Sequence, residues 1–143
     1  MRKQLWISFV AAFILNFFWE CIHSGLYLHY RGGEITKELL FFMAVKDAVI
    51  ITALIAAQRS FRFAKHRPWL IPLAALAISL LVEWHALLTG RWAYADAMLI
   101  IPIVGTGLSP TVQLALTGYL VSRISLYTKK PRPRRSKFYS PLD

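Results

Sequence analysis

Apolar residues dominate four stretches of this chain, and the polar residues inside them recur at helical rather than alternating intervals. Leu5 to Ser24 is apolar over about the 20 residues that a bilayer demands of a spanning helix. Within it Asn16, Glu20 and His23 fall three or four apart, so they share one face as an inward polar stripe. Gly25 to Lys37 reads as a loop, with a turn at Gly32-Gly33 and with Tyr27 and Tyr30 at headgroup level. Thr36 is suited to cap a second helix, which runs to about Gln58 with Glu38 in its first turn and Lys46 and Asp47 inside its apolar span. A third helix is predicted over Trp69 to Leu88, where Pro72 is tolerated in the first turn. A hairpin, Gly90–Asp96, follows.

Ala97 to Leu108 is apolar but short, which predicts a re-entrant or interfacial segment; a continuous kinked helix from Ala97 is the alternative. Ser109 and Pro110 fit an N-cap and a first helical position, so the fourth helix is predicted from Pro110 to Tyr127. From Lys129 the chain turns basic and proline-rich, the composition of a disordered tail. The fold expected is all-α: a four-helix transmembrane domain over residues 1–128, then a basic cytoplasmic tail over 129–143.

Composition agrees with this reading. Of 143 residues 57% are hydrophobic, above the share usual in soluble domains, and the length suits one helical unit. The 17 Lys and Arg against 7 acids give a formal charge of +10, which would suit nucleic acid if the charges were not placed beside apolar runs. Arg2-Lys3, the Arg59–Arg67 stretch and the Lys129–Lys137 tail all fall on one side of a four-helix arrangement. The positive-inside rule then puts both termini in the cytoplasm, in a cell (inner) membrane. The start resembles a signal peptide in its charge and apolarity, but Trp19-Glu20-Cys21 offers no small-residue cleavage pattern, so a retained helix is expected. Cys21 is the single cysteine, which excludes an internal disulfide.

The candidate chemistry lies at one depth. At about 1.5 Å of rise per residue, Glu20 lies about 22 Å, Glu83 about 21 Å and Asp47 about 17 Å from the inner edge of a core roughly 30 Å thick. Three carboxylates on three helices therefore share a layer in the outer half of the membrane and are the candidate catalytic groups. Asn16, His23, His85, Arg91, Trp92 and Gln113 lie near that layer and are the candidate substrate-binding groups. A charge so deep is costly, so each carboxylate is either paired or used. Pairing of Glu20 with Arg91 or Lys46, or of Glu83 with Arg91, is the structural alternative to catalysis. Lys46 and Asp47 are neighbours about 100° apart on a helix, so they do not face each other. Trp84, Trp92 and Tyr94 suit an interfacial anchor. Glu20-x-x-His23 has the spacing found in di-iron bundles, but Glu83-x-His85 does not repeat it, so no metal site is predicted.

Two resemblances attach to these residues. Asn16-Phe17-Phe18-Trp19-Glu20 with Leu26-Tyr27, the Asp47 helix, Gly90-Arg91-Trp92-Ala93-Tyr94 and Gly107-Leu108-Ser109-Pro110-Thr111-Val112-Gln113 resemble a widespread group of small four-helix bacterial membrane proteins of no assigned function. That group commonly has a glutamine where this chain has His23. Glu83, Ala86, Gly90 and Trp92 are similar in spacing to the motif of the small membrane lycopene cyclases. In those enzymes a Pro-x-Glu-Glu motif opens the next helix and is thought to protonate the polyene. Here Pro110-Thr111-Val112-Gln113 holds no carboxylate, so the resemblance implies a related scaffold with other residues at the site.

The function expected is cofactor-free acid–base chemistry on, or binding of, a hydrophobic isoprenoid- or lipid-like molecule entering from the bilayer. Trp84 and Trp92 would face its apolar or cationic part. Non-enzymatic transport of a small solute or proton, or an accessory membrane subunit, is the alternative. The partners expected are the bilayer itself, anionic lipid at the tail and a hydrophobic small molecule, without nucleic acid; oligomerisation stays open.

Overall fold

The computed structural model describes residues 2–127; the basic tail expected from Lys129 onward lies outside them. α1 (Arg2–His23) starts three residues before the apolar run and ends in a 3-10 turn at Ser24–Leu26. α2 (Lys37–Ser60) is capped by Thr36, whose side chain accepts from the Leu39 N–H at 3.3 Å. α3 (Leu70–Leu88) carries Pro72 in its first turn. It is closed by Gly90 at φ 60°, with the Gly90 N–H donating to the Leu87 carbonyl. That left-handed position is one glycine adopts without steric cost. α4 (Leu108–Tyr127) completes the helices among the described residues.

One correction concerns the connections. Gly25–Lys37 is expected as a loop and Gly90–Asp96 as a hairpin, yet β1 (Tyr27–Tyr30) and β2 (Trp92–Tyr94) pair with each other in antiparallel fashion. Tyr27 stands opposite Tyr94, His29 opposite Ala93 and Tyr30 opposite Trp92. The expected all-α fold is thus helical with one small sheet. Strands of four and three residues are too short to show a period, and Tyr27, Tyr30, Trp92 and Tyr94 are aromatics that also suit a membrane interface. Ala97–Leu108 forms an irregular segment before α4, not the continuous kinked helix that was the alternative. It folds back on itself, with Ile100 bridged to Gly107 and the Leu108 N–H on the Leu99 carbonyl at 2.7 Å. Pro102, which lacks an N–H, and Gly105, at φ 69°, break any helix there. α4 accordingly begins at Leu108, so Ser109 lies inside its first turn and is not the cap.

One face of each helix packs inward at three- or four-residue spacing. On α1 it is Ser8, Ala12, Asn16 and His23; on α2 it is Leu40, Ala44, Ala48, Ile51 and Ile55; on α3 it is Ile71, Ala75, Ser79, Glu83 and Ala86. Small side chains at these positions let the backbones approach, as in membrane bundles. α1 packs closely on α2, α3 on α4 and α4 on α1, whereas α2 and α3 meet least among adjacent helices. The dry core of Ala12, Ala48, Ile51, Ile55, Ile71, Ala75, Leu114 and Val121 fills the half of the bundle that holds the start of α1.

Polar and apolar residues are distributed inside out. Asn16, Glu83 and Gln113 are 0%, 4% and 4% exposed, while Phe18, Ile22 and Leu88 are 64%, 84% and 87% exposed. α4 turns Thr111, Gln113, Thr117 and Ser122 inward and Leu116, Leu120 and Ile124 outward. Contiguous exposed apolar surface of this kind suits a hydrocarbon solvent. Among the described residues three helices, α1, α2 and α3, are long and apolar enough to cross a membrane.

Candidate functional site

The three carboxylates line one pocket at the end of the bundle that carries the strand pair. Its floor is set by α1, α2, α3 and α4 through Glu20, Asp47, Glu83 and Gln113, and its roof by β1 and β2 through Tyr27, Tyr30 and Trp92. The wall where α2 and α3 separate is apolar, with Leu39, Leu40, Met43, Ile50 and Val82. The cleft is open to one side and encloses about 750 Å³, open solvent at its mouth included.

Gln113 joins the helices at the floor. Its Nε2 lies 2.9 Å from Glu20 Oε1, 3.2 Å from Asp47 Oδ2 and 3.2 Å from Asn16 Oδ1. Two amide hydrogens serve three acceptors, so one hydrogen is shared. Thr117 also donates to Asn16 Oδ1 at 3.2 Å, and Asn16 donates to the Ala12 carbonyl at 2.8 Å. A buried polar group is tolerated only when bonded in this way. Glu83 is held separately: Trp92 Nε1 donates to its Oε2 at 3.3 Å, and the Tyr94 hydroxyl donates to the same oxygen in a short bond. Tyr94 in turn accepts from the Gly107 N–H at 2.9 Å, so one phenol ties α3 to the start of α4.

Of the six carboxylate oxygens four are used and two are open. Glu20 has both taken, one by Gln113 and the other by His23 Nε2 at 3.1 Å. Asp47 Oδ1 and Glu83 Oε1 have no hydrogen-bond partner among the described residues. The Tyr27 hydroxyl also lacks one, although its ring packs on His23, Trp92 and Tyr94. Burial first, then the negative charges of Glu83, Glu20, Tyr94 and Asp47, raises the pKa of Tyr27 far above the usual phenol range. Burial, followed by the hydrogen bond to Glu83, raises that of Tyr94, against a smaller lowering by the Gly107 N–H. Both phenols therefore stay protonated donors.

No family model, curated protein or solved structure matches this chain. What the site does must be argued from its atoms.

Of the residues singled out from the sequence, Glu20, His23, Asp47, Glu83, Trp92 and Gln113 meet at the pocket, and Asn16 supports it from below. His85 and Arg91 do not join them. His85 is exposed and lies 3.5 Å from the Arg91 guanidinium, which leaves Glu83 without the cationic partner expected for it. The i, i+2 spacing puts His85 on the opposite side of α3 from Glu83. Glu20 pairs with neither Arg91 nor Lys46; the side chains it meets are His23, at 3.1 Å, and Gln113. Lys46 lines the pocket and donates to the Met43 sulfur at 3.3 Å. Trp84 does not face the pocket either, because its indole N–H is held by the Val104 carbonyl at 2.8 Å.

Sequence reasoning missed Tyr94 and Tyr27 as site residues because a tyrosine beside a span suits a plain interfacial role. It missed Ser109 because an N-cap accounted for the hydroxyl. No linear signal could have paired Ser109 with His23, 86 positions apart.

Proposed function

We propose that the chain is an integral membrane protein of four spanning helices, with both termini in the cytoplasm. Its pocket takes a lipid- or isoprenoid-like molecule from the bilayer and performs cofactor-free acid–base chemistry on its polar or unsaturated end. The observation that carries this reading is the pairing of an apolar wall at the α2–α3 seam with a floor of carboxylates, two of which keep an oxygen open. The apolar chain would lie between α2 and α3, and the reacting end would meet Asp47 Oδ1 and Glu83 Oε1. Tyr27, a free donor in a water-poor site, would hydrogen-bond an oxygen of the substrate, and Trp92 and Tyr30 would face developing positive charge. Glu20, with both oxygens occupied, sets the geometry of its neighbours. A through-path for a solute is disfavoured by the dry core of Ile51, Ile55, Ile71 and Val121, which fills the bundle beyond the carboxylates.

The test is the molecule that the protein retains. Wild-type protein extracted in mild detergent should carry one amphiphile enriched over bulk lipid by mass spectrometry. Met43→Trp, which fills the mouth, should lose it. An identical, bulk-like lipid profile in both proteins would remove the proposal. For orientation, reporters fused at Arg62 and at Gly32 should read cytoplasmic and external respectively; the reverse would invert the topology.

A further inference from the structure

A second arrangement of atoms lies beside the pocket, between α1 and α4. Trp19 Nε1 is 3.2 Å from Ser109 Oγ, Ser109 Oγ is 2.9 Å from His23 Nδ1, and His23 Nε2 is 3.1 Å from Glu20 Oε2. The directions follow from the chemistry of each group. An indole N–H only donates, so Ser109 Oγ accepts from Trp19 and is left to give its own proton to His23. A carboxylate only accepts, so Nε2 of His23 carries the hydrogen and Nδ1 presents its lone pair to the serine. Glu20 is fixed in place by the Gln113 amide on its other oxygen. A hydroxyl on a histidine base that is itself oriented by a carboxylate, here the partly buried Glu20, is the arrangement that activates a serine nucleophile.

We propose that Ser109 is a nucleophile for acyl transfer from an ester of a membrane lipid, with His23 as its general base and Glu20 as the positioning residue. Ser109 is the second residue of α4, whose 20 residues span about 30 Å, the thickness of a hydrocarbon core. Its hydroxyl thus lies at the boundary where lipid ester carbonyls lie. The surface beside it is apolar and exposed: Ile22, next to His23, is 84% exposed, and Leu108, next to Ser109, is 41% exposed. Acyl chains would pack there. The Ser109 N–H has no acceptor among the described residues and lies at the positive end of the α4 dipole, where it can bind a developing oxyanion.

The step balances without a cofactor. Ser109 Oγ attacks the ester carbonyl carbon as its proton passes to His23 Nδ1, and Glu20 holds the resulting imidazolium through Nε2. The ester C–O bond breaks, and the same proton goes to the departing alcohol oxygen. Water then attacks acyl-Ser109, giving its proton to His23, which returns it to Ser109 Oγ as the fatty acid leaves.

The experiment treats the full chain in nanodiscs with a long-chain alkyl fluorophosphonate and reads labelling by peptide mass spectrometry. Fatty-acid release from phosphatidylglycerol and phosphatidylethanolamine vesicles is measured in parallel. Wild type should label on Ser109, Ser109→Ala should not, and His23→Gln should label at least 100-fold more slowly. Glu20→Gln should slow labelling and shift its pH–rate profile, with partial recovery in Glu20→Asp, a pattern that loss of packing alone would not give. Each variant is taken with its melting curve, so that unfolding is distinguished from lost reactivity. An unlabelled Ser109 together with no fatty-acid release from folded wild type would overturn the proposal. Labelling that His23→Gln leaves unchanged would also overturn it. Labelling is read on Ser109 and the retained amphiphile on the pocket, so either proposal can fail without the other.

Discussion

Tyr94→Phe removes one oxygen and should unfasten one end of the bundle. That hydroxyl donates to Glu83 Oε2 and accepts from the Gly107 N–H at 2.9 Å. Losing a hydrogen bond to a charged acceptor costs about 1.5–3 kcal/mol, and a backbone N–H left unsatisfied costs about 1–3 kcal/mol. Trp92 still donates to Glu83 at 3.3 Å and keeps the carboxylate partly served, so the lower half of the sum applies, about 3 kcal/mol. Glu83→Gln retains an acceptor and loses only the charge assistance, at about 1–2 kcal/mol. Because the two changes act on one bond, the double variant should be more stable than the sum of the single losses by about 1 kcal/mol or more. The assay is equilibrium unfolding in mixed detergent micelles for wild type, both single variants and the double. A coupling below about 0.5 kcal/mol would show that the phenol and the carboxylate do not interact, and would refute the reasoning. The same cycle between Glu83 and Arg91 should be additive, since Arg91 lies against His85 instead.

Three further outcomes are expected. Gln113→Leu leaves Glu20 Oε1 and Asp47 Oδ2 without their shared donor and should destabilise by about 3–5 kcal/mol in the same unfolding assay, the range for an uncompensated buried charge. Gly107→Ala would bring a Cβ to 2.7 Å from the Met98 sulfur, which a flexible thioether relieves by shifting, so it should cost about 1 kcal/mol or less in the same assay. In alkali, Tyr27 and Tyr94 have folded-state pKa values above those of the unfolded chain, so their contribution is complete below about pH 10. It is lost as pH rises further, by up to about 1.4 kcal/mol per pH unit for Tyr27 and by less for the more exposed Tyr94. Tyrosinate absorbance should show these two ionising only with unfolding, and Tyr27→Phe should flatten the loss.

The helices were legible because α1, α2 and α3 each carry an apolar span of bilayer length and because the inward polar residues keep helical spacing. α2 and α3 fall within two residues of their expected ends, and the Thr36 cap forms as its side chain suggests. Depth counted along the helices also brought Glu20, Asp47 and Glu83 to one pocket, since rise per residue is nearly constant in a helix. What depth cannot supply is azimuth between helices. His85 is at nearly the depth of Glu83 and still lies outside the pocket, and Arg91 follows the chain out past Gly90 to His85. The strand pair was hidden for another reason. Its partners, 62 to 67 residues apart, are joined only when α1 and α3 end at the same height. Neither stretch has a period long enough to announce a strand.

The occupied and open oxygens divide the polar layer into parts with separate consequences. A carboxylate in a dry bundle costs several kcal/mol unless its lone pairs are met, so evenly satisfied acids would suit pure packing. Here the bonding is uneven. Glu20 is met on both oxygens by groups from α1 and α4, which suits holding His23 in one orientation. Asp47 and Glu83 are met on one oxygen each, by α4 and by the strand-side aromatics, and the other oxygen of each is left to the pocket. The donors that hold Glu83 come from β2, a three-residue strand outside the helices, so the loops determine how that acid is presented. Replacing a loop aromatic should therefore change chemistry at a helix, and replacing Glu20 should change Ser109 before it changes the pocket.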